Sequence, residues 1–272
     1  MIHLQNYFAR INYQGPTTSE LSTLKAIHAL HPAHIPFENI DVLLDRGISL
    51  ELDNIQQKLI DYRRGGYCFE HNALFMQVLK QLGFEVESLM ARTVWRQPDN
   101  MPLGPRTHQV LRVRVDGEWW LADVGFGGMV LTDPLRLDTD QAQQGQHEAF
   151  RFKAHDHGWL LQVNIQDEWQ DLYDIGSQPQ EPIDIDVANW FTSASPQSKF
   201  RHNLMMARAT PDTRYALLNN RLTIRPRNGV AEQRELNPEE LAAALEECFE
   251  LKVESEWMPL LERIVEKEIE GR

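Results

Sequence analysis

A thiol, an imidazole and a carboxylate occur in the order Cys68, His108, Asp123. Cys68 lies in the run Arg64-Gly65-Gly66-Tyr67-Cys68-Phe69-Glu70-His71-Asn72. The paired glycines allow a tight backbone immediately before a helix, which sets the sulfur at or near the helix N-terminus, where the macrodipole favours an anion. A free thiol titrates near ~8.5 and is about 3% ionised at neutral pH; a helix N-terminus beside an imidazolium is a setting that raises that share. The same cysteine, flanked by Phe69 and Phe75, also has the surroundings of a small core residue. Its neighbours in space decide between the two.

The second signal is the stretch Thr107 to Gly128, T-H-Q-V-L-R-V-R-V-D-G-E-W-W-L-A-D-V-G-F-G-G, which reads as a β-hairpin turning at Asp116-Gly117. With a two-residue turn Val115 faces Glu118, His108 falls opposite Gly125, and Asp123 shares a face with His108. Their Cα atoms are then diagonal neighbours roughly 7–8 Å apart. A three-residue turn would reverse the parity and separate them. An acyl-transfer nucleophile needs a base within hydrogen-bond reach and a third group to fix the base's tautomer, and Cys68, His108 and Asp123 supply all three roles. Among ten histidines, His108 stands out only in combination with Cys68.

Other candidates are weaker. Arg64 cannot act as a base at ordinary pH, and a buried pair with Glu38 of Ile35-Pro36-Phe37-Glu38-Asn39-Ile40-Asp41 would brace the Cys68 loop instead. Gly125-Phe126-Gly127-Gly128 can present backbone N–H groups to an anion, or simply turn. Cys68 and His71 form a C-x-x-H pair without a second Cys/His cluster at zinc spacing, so no metal is expected. Cys248, near Leu245 and Phe249, reads as structural.

The elements that must position these residues follow from periodicity. Leu4, Tyr7, Phe8 and Ile11 mark a first helix, Leu21, Leu24, Ile27 and Leu30 a second, with Thr17 and Glu20 as its capping box. Leu52, Ile55 and Leu59 form another run, and a helix beginning at or just after Cys68 carries Leu74, Phe75, Val78, Leu79 and Leu82 up to Gly83. From about Val86 to Asp174 alternation takes over, as in Leu111-Val113-Val115 and Trp159-Leu161-Val163-Ile165, broken by Asp-Gly and His-Gly turn signals. Residues 184–206 read as mixed and helical. Short strands follow near Tyr215, Leu222 and Val230, and Asn237-Pro238 opens a helix carrying Leu241, Leu245 and Phe249.

The chain has 272 residues, 42% hydrophobic and 25% charged, with no 18-residue apolar stretch. A formal charge of −13 disfavours nucleic-acid and anionic-membrane surfaces, so an anionic ligand must meet a local pocket. Two distant cysteines and no signal-like N-terminus fit a reducing cytoplasm.

Taken with Tyr7-Phe8-Ala9-Arg10-Ile11, Pro105-Arg106-Thr107-His108 and Asp123 to Gly128, the Cys68 and Glu38 stretches resemble the arylamine N-acetyltransferases, the prokaryotic type in particular. The resemblance implies an α+β, multi-domain chain: an N-terminal helical bundle (1–85), a central antiparallel β-barrel-like domain (86–195) and a C-terminal α/β lid (196–272), with a cysteine-protease-like Cys-His-Asp triad of Cys68, His108 and Asp123. It implies acetyl-coenzyme A as donor and a ping-pong cycle through an acetyl-cysteine. The acceptor would be a small aromatic amine, hydrazine or N-hydroxyarylamine. Phe37 and Phe126 would line the acceptor pocket, Gly127 and Gly128 would meet the pyrophosphate, and Glu38 and Arg64 would be a structural ion pair. It sets no oligomeric state and no lid residue. A thiol hydrolase or transglutaminase-like enzyme, an amide synthase on the same fold, and a non-catalytic binding module are the competing readings.

Overall fold

The computed structural model describes residues 1–98 and 100–270. Helix α1 (Leu4–Arg10) buries Tyr7, Phe8 and Arg10. Helix α2 (Leu21–His34) follows, with Glu20 in the N-cap position and no side-chain cap. The Thr17–Glu20 capping box therefore does not form. Residues 17–20 precede the helix, in a bend where the Pro16 carbonyl accepts the Tyr13 hydroxyl at 2.6 Å. After α3 (Ile40–Leu43), helix α4 (Leu52–Gln56) runs into a π-helical turn at Gln57–Asp61. Helix α5 (Cys68–Gln81) comes next, and Gly83 ends its exit turn at a φ of +90°, which glycine adopts without steric cost. Leu24, Ile27, Leu59, Leu74, Phe75, Val78 and Leu79 form one core with Leu111, Val113 and Ala122 of the sheet.

Eight strands form one antiparallel sheet: β1 (Glu85–Thr93), β2 (His108–Val115), β3 (Glu118–Ala122), β4 (Leu135–Arg136), β5 (Gln143–Gln144), β6 (Ala149–His155), β7 (Gly158–Ile165) and β8 (Glu168–Gly176). Their order is β4-β3-β2-β1-β8-β7-β6-β5. The edge strands β4 and β5 meet through one side chain: Gln143 accepts from the Arg136 N–H at 2.8 Å and donates to the Arg136 carbonyl at 2.9 Å. An amide thus stands in for a strand pairing, and the sheet nearly closes into a barrel. Inside it pack Phe150, Phe152, Leu161, Val163, Leu172 and Ile175. The β6–β7 turn falls on Asp156-His157, because Gly158 already pairs with His155.

Helix α6 (Pro182–Ala194) and a 3-10 turn (Lys199–Arg201) lead to a second sheet: β9 (Met205–Ala209), β10 (Thr213–Leu218), β11 (Arg221–Pro226) and β12 (Glu232–Glu235). Strand β9 falls at the end of a stretch whose composition reads as helical. Helices α7 (Pro238–Glu247) and α8 (Met258–Glu270) cover this sheet. Asn237 caps α7 as its type and position dictate, accepting from the Glu240 N–H at 2.9 Å. Ile40 from α3 joins the same core, so the N-terminal part helps build the C-terminal one. A smaller cluster of Phe37, Tyr67, Cys68, Phe69, Met90, Ile185 and Ala207 lies where helices, barrel and second sheet meet.

A charge network locks this junction. Arg64 donates to Glu38 Oε1 at 2.7 Å and lies 3.2 Å from Asp41; Lys58 reaches Asp41 and Glu70, each at 2.8 Å. Burial opposes ionisation of Asp41, but the Lys58 and Arg64 cations prevail and hold its pKa down to about 2. Replacing Arg64 by Leu leaves the buried Glu38 without its cation and removes one of the cations that hold down Asp41, and should destabilise the fold by about 3 kcal/mol in urea unfolding at neutral pH. Because the folded carboxyl titrates below its unfolded value, its contribution is present above pH ~4 and is lost as pH falls toward 2. The deficit of the variant should narrow over that window; a deficit independent of pH there would contradict the assignment.

Candidate active site

Cys68 is the first residue of α5 and only 4% exposed. The turn before it is built to fit. A Cβ on Gly65 would lie 2.1 Å from the Pro36 carbonyl oxygen, so only glycine lets the two segments touch. Glu70, three residues into the helix, accepts from the Tyr67 N–H at 3.0 Å, satisfying one of the open donors at the helix start. The sulfur lies 3.7 Å from the carbonyl of Thr107, the residue before His108, and interaction with Cys68 is among the causes that raise the His108 pKa.

The hairpin takes the two-residue turn. Asp116 and Gly117 have φ values of 51° and 84°, both positive as a type I′ turn requires. Val115 pairs with Glu118 and Leu111 with Ala122, which is the parity that brings His108 and Asp123 to one face. His108 Nε2 donates to Asp123 Oδ2 at 2.7 Å. Nδ1 is then the ring nitrogen left for the sulfur.

Asp123 has no exposed surface and accepts four hydrogen bonds. Besides His108, Oδ2 takes the Tyr173 hydroxyl at 3.0 Å, while Oδ1 takes Asn72 Nδ2 at 3.0 Å and the Gly125 N–H at 2.9 Å. Burial pushes its carboxyl up, but the His108 charge and these donors hold it below the ordinary carboxylate range. For His108, burial favours the neutral ring; the Asp123 charge and hydrogen bond, with smaller contributions from Cys68, overcome it and raise the pKa to about 10. At neutral pH the geometry therefore holds an imidazolium between the Asp123 carboxylate and the Cys68 sulfur.

Asn72 and Tyr173 complete this arrangement without having been singled out in the sequence. Asn72 lies four residues after Cys68, hence on the same helix face; its amide donates to the Gln109 carbonyl at 2.7 Å and accepts from the Val124 N–H at 3.2 Å. Tyr173 comes from β8, fifty residues away, with no local signal. Beneath the turn runs a buried chain. His71 Nε2 faces the carbonyls of Gly66 at 3.0 Å and Pro36 at 3.2 Å and so carries the proton. His31 Nε2 then donates to His71 Nδ1, and the Tyr7 hydroxyl to His31 Nδ1, each at 2.9 Å. Burial holds His71 down to about 4, so the chain stays neutral.

Cys68 and His108 open on a cavity of about 790 Å³ that is also lined by Phe37, Phe126, Gly127 and Gly128. The Phe126 ring stands edge-on to His108 at 4.9 Å, and Gly127, at a φ of +81°, passes beside the Phe37 ring. Arg64 and Glu38 lie outside the cavity lining. Among the described residues no cluster of His, Cys, Asp and Glu could hold a metal ion.

NMR titration of His108 should give a midpoint well above 6.5, and Asp123→Asn should bring it down by removing the dominant favourable charge. A midpoint at or below 6.5 in the unmodified protein would contradict this electrostatic account.

The chain matches a family model described as N-acetyltransferase over residues 20–258. It is 43% identical to an arylamine N-acetyltransferase of Escherichia coli (strain K12) over 253 residues, covering 92% of this chain and 89% of the relative. The solved arylamine-N-acetyltransferase of M. tuberculosis superposes with a TM-score of 0.93 at 37% identity, covering 97% of this chain and 100% of the other. The Mycobacterium marinum arylamine N-acetyltransferase, solved in complex with CoA, gives 0.91 at 37% identity, over 97% of this chain and 98% of the other. Matched along nearly its whole length in both sequence and fold, the chain belongs to the arylamine N-acetyltransferase family.

Proposed function

We propose that this chain transfers an acetyl group from acetyl-coenzyme A to an aromatic amine, hydrazine or N-hydroxyarylamine by way of an acetyl-thioester on Cys68. The observation that carries the proposal is the alignment of Cys68, His108 and Asp123 at a cavity whose lysine and arginine side chains are Arg96, Lys199, Arg221 and Arg225 and which, among the described residues, has no carboxylate in its lining. In a chain of charge −13 that asymmetry makes a local field able to draw in an anionic donor. Gly127 and Gly128 are the proposed backbone contacts for the pyrophosphate, and Phe37 and Phe126 the walls against which the acceptor ring packs.

The chemistry follows from the geometry. The Cys68 thiolate attacks the thioester carbonyl; the carbon–sulfur bond to coenzyme A breaks, and the leaving thiolate takes the proton from His108. The aryl nitrogen then attacks the acetyl-cysteine. His108 accepts the amine's proton, the bond to Cys68 breaks, and the thiolate–imidazolium pair is restored. Asp123 keeps Nδ1 facing the sulfur and stabilises the imidazolium without taking a proton itself. Burial of Cys68 limits attack by water on the intermediate.

Intact-protein mass after mixing with acetyl-coenzyme A alone should show one acetyl group on Cys68, lost as an arylamine is added and N-acetyl product forms. Cys68→Ser should lower transfer by at least about a thousandfold. An adduct lost equally fast to water would indicate a hydrolase, and an unmodified, unreactive Cys68 a binding module; either result overturns the proposal.

A further inference from the structure

The cations of the cavity are not equivalent. Arg225 is paired with Glu148 at 3.4 Å, whereas the ammonium of Lys199 has no hydrogen bond or ion pair to any described residue. Its neighbour is the Phe200 ring, 5.7 Å from the nitrogen to the ring centre. That ring packs 6.2 Å from Phe37 and 5.9 Å from Tyr67, the residue before Cys68. Lys199 is thus carried beside the aromatic cluster in which Phe37 and Tyr67 pack with Cys68. It is exposed to the cavity rather than covered, with protein around it: burial lowers its pKa, and the charge of Cys68 acts in the opposite sense. The ammonium is near enough for its field to reach the sulfur and makes no bond to it.

We infer that Lys199 is a specificity-determining residue that receives the carboxylate of an anionic acceptor, so that this chain favours aminobenzoate-type amines over neutral ones of the same shape. The inference rests on the proposed acetyl-transfer reading and adds the charge class of its acceptor. An acceptor must place its nitrogen at the acetyl carbon on Cys68 and its ring among Phe37, Phe126 and Phe200. A ring substituent remote from the nitrogen then points away from Cys68 toward the rim where Lys199 stands. A partnerless ammonium there meets a carboxylate with a charge-assisted hydrogen bond, and meets a neutral amide with much less. The donor's phosphates are the other anions the cavity would receive. They lie a full pantetheine arm from the thioester sulfur, which suits Arg221 and Arg225 on β11 better than a cation whose field is felt at Cys68.

The test compares 4-aminobenzoate with 4-aminobenzamide, matched in shape and different in charge, in the unmodified chain, Lys199→Met and Lys199→Arg. The ratio of kcat/KM for the acid to that for the amide should fall about tenfold in Lys199→Met, the difference expected for one charge-assisted hydrogen bond, and be largely kept in Lys199→Arg. The preference of the unmodified chain should also weaken as salt is raised. Single-turnover acetylation of Cys68 by acetyl-coenzyme A is the control. A ratio unchanged by Lys199→Met overturns the inference while leaving acetyl transfer intact. So does a loss confined to the acetylation step, which would assign the ammonium to the donor's phosphates or to the thiolate. Failure of the unmodified chain to acetylate either amine would overturn the acetyl-transfer reading, and this inference with it.

Discussion

The site depends on one contact, the docking of the α5 N-terminus onto the strand pair that bears His108 and Asp123. A single amide makes the tie: Asn72 donates to the Gln109 carbonyl and to Asp123 and accepts from the Val124 N–H. Cys68, one helical turn earlier, is carried to His108 by that docking. The approach is close enough that a Cβ on Gly125 would lie 2.9 Å from the Cys68 Cα, nearer than side-chain carbons are found. Gly125 is not at positive φ, so its role is spatial and not conformational.

Burying ionised groups is costly unless each is paired and hydrogen-bonded. The junction meets that demand twice. Asp123 is saturated by four donors, and Glu38, Asp41 and Glu70 share Arg64 and Lys58. The first group faces the cavity through His108; the second lies behind the Cys68 loop and fixes its entry. Between them the neutral Tyr7, His31 and His71 chain satisfies the Gly66 carbonyl without adding charge. The floor under the loop is thus uncharged, since burial keeps its histidines neutral.

Much of this was legible in the sequence because it is local. A two-residue Asp-Gly turn determines which strand residues share a face, so the His108–Asp123 relation follows from counting, and Asn237-Pro238 announces its helix. Asn72 could have been read from its spacing to Cys68. Tyr173, the Gln143 closure of the barrel and the insertion of Ile40 into the C-terminal core depend on long-range packing, for which a single sequence carries no periodic sign. The Thr17–Glu20 pattern shows the opposite failure: a local motif present in the residues and unused in the fold, since the chain enters α2 only at Leu21.

The central claim, that close docking of α5 sets Cys68 against His108, is tested most directly by the single-turnover rate of Cys68 acetylation in Gly125→Ala. The added methyl must displace the Cys68 backbone, and a shift of about 1 Å at the reacting atoms should slow acetylation on the order of a hundredfold while the circular dichroism spectrum is retained. A rate equal to that of the unmodified protein, with the fold intact, would contradict the account.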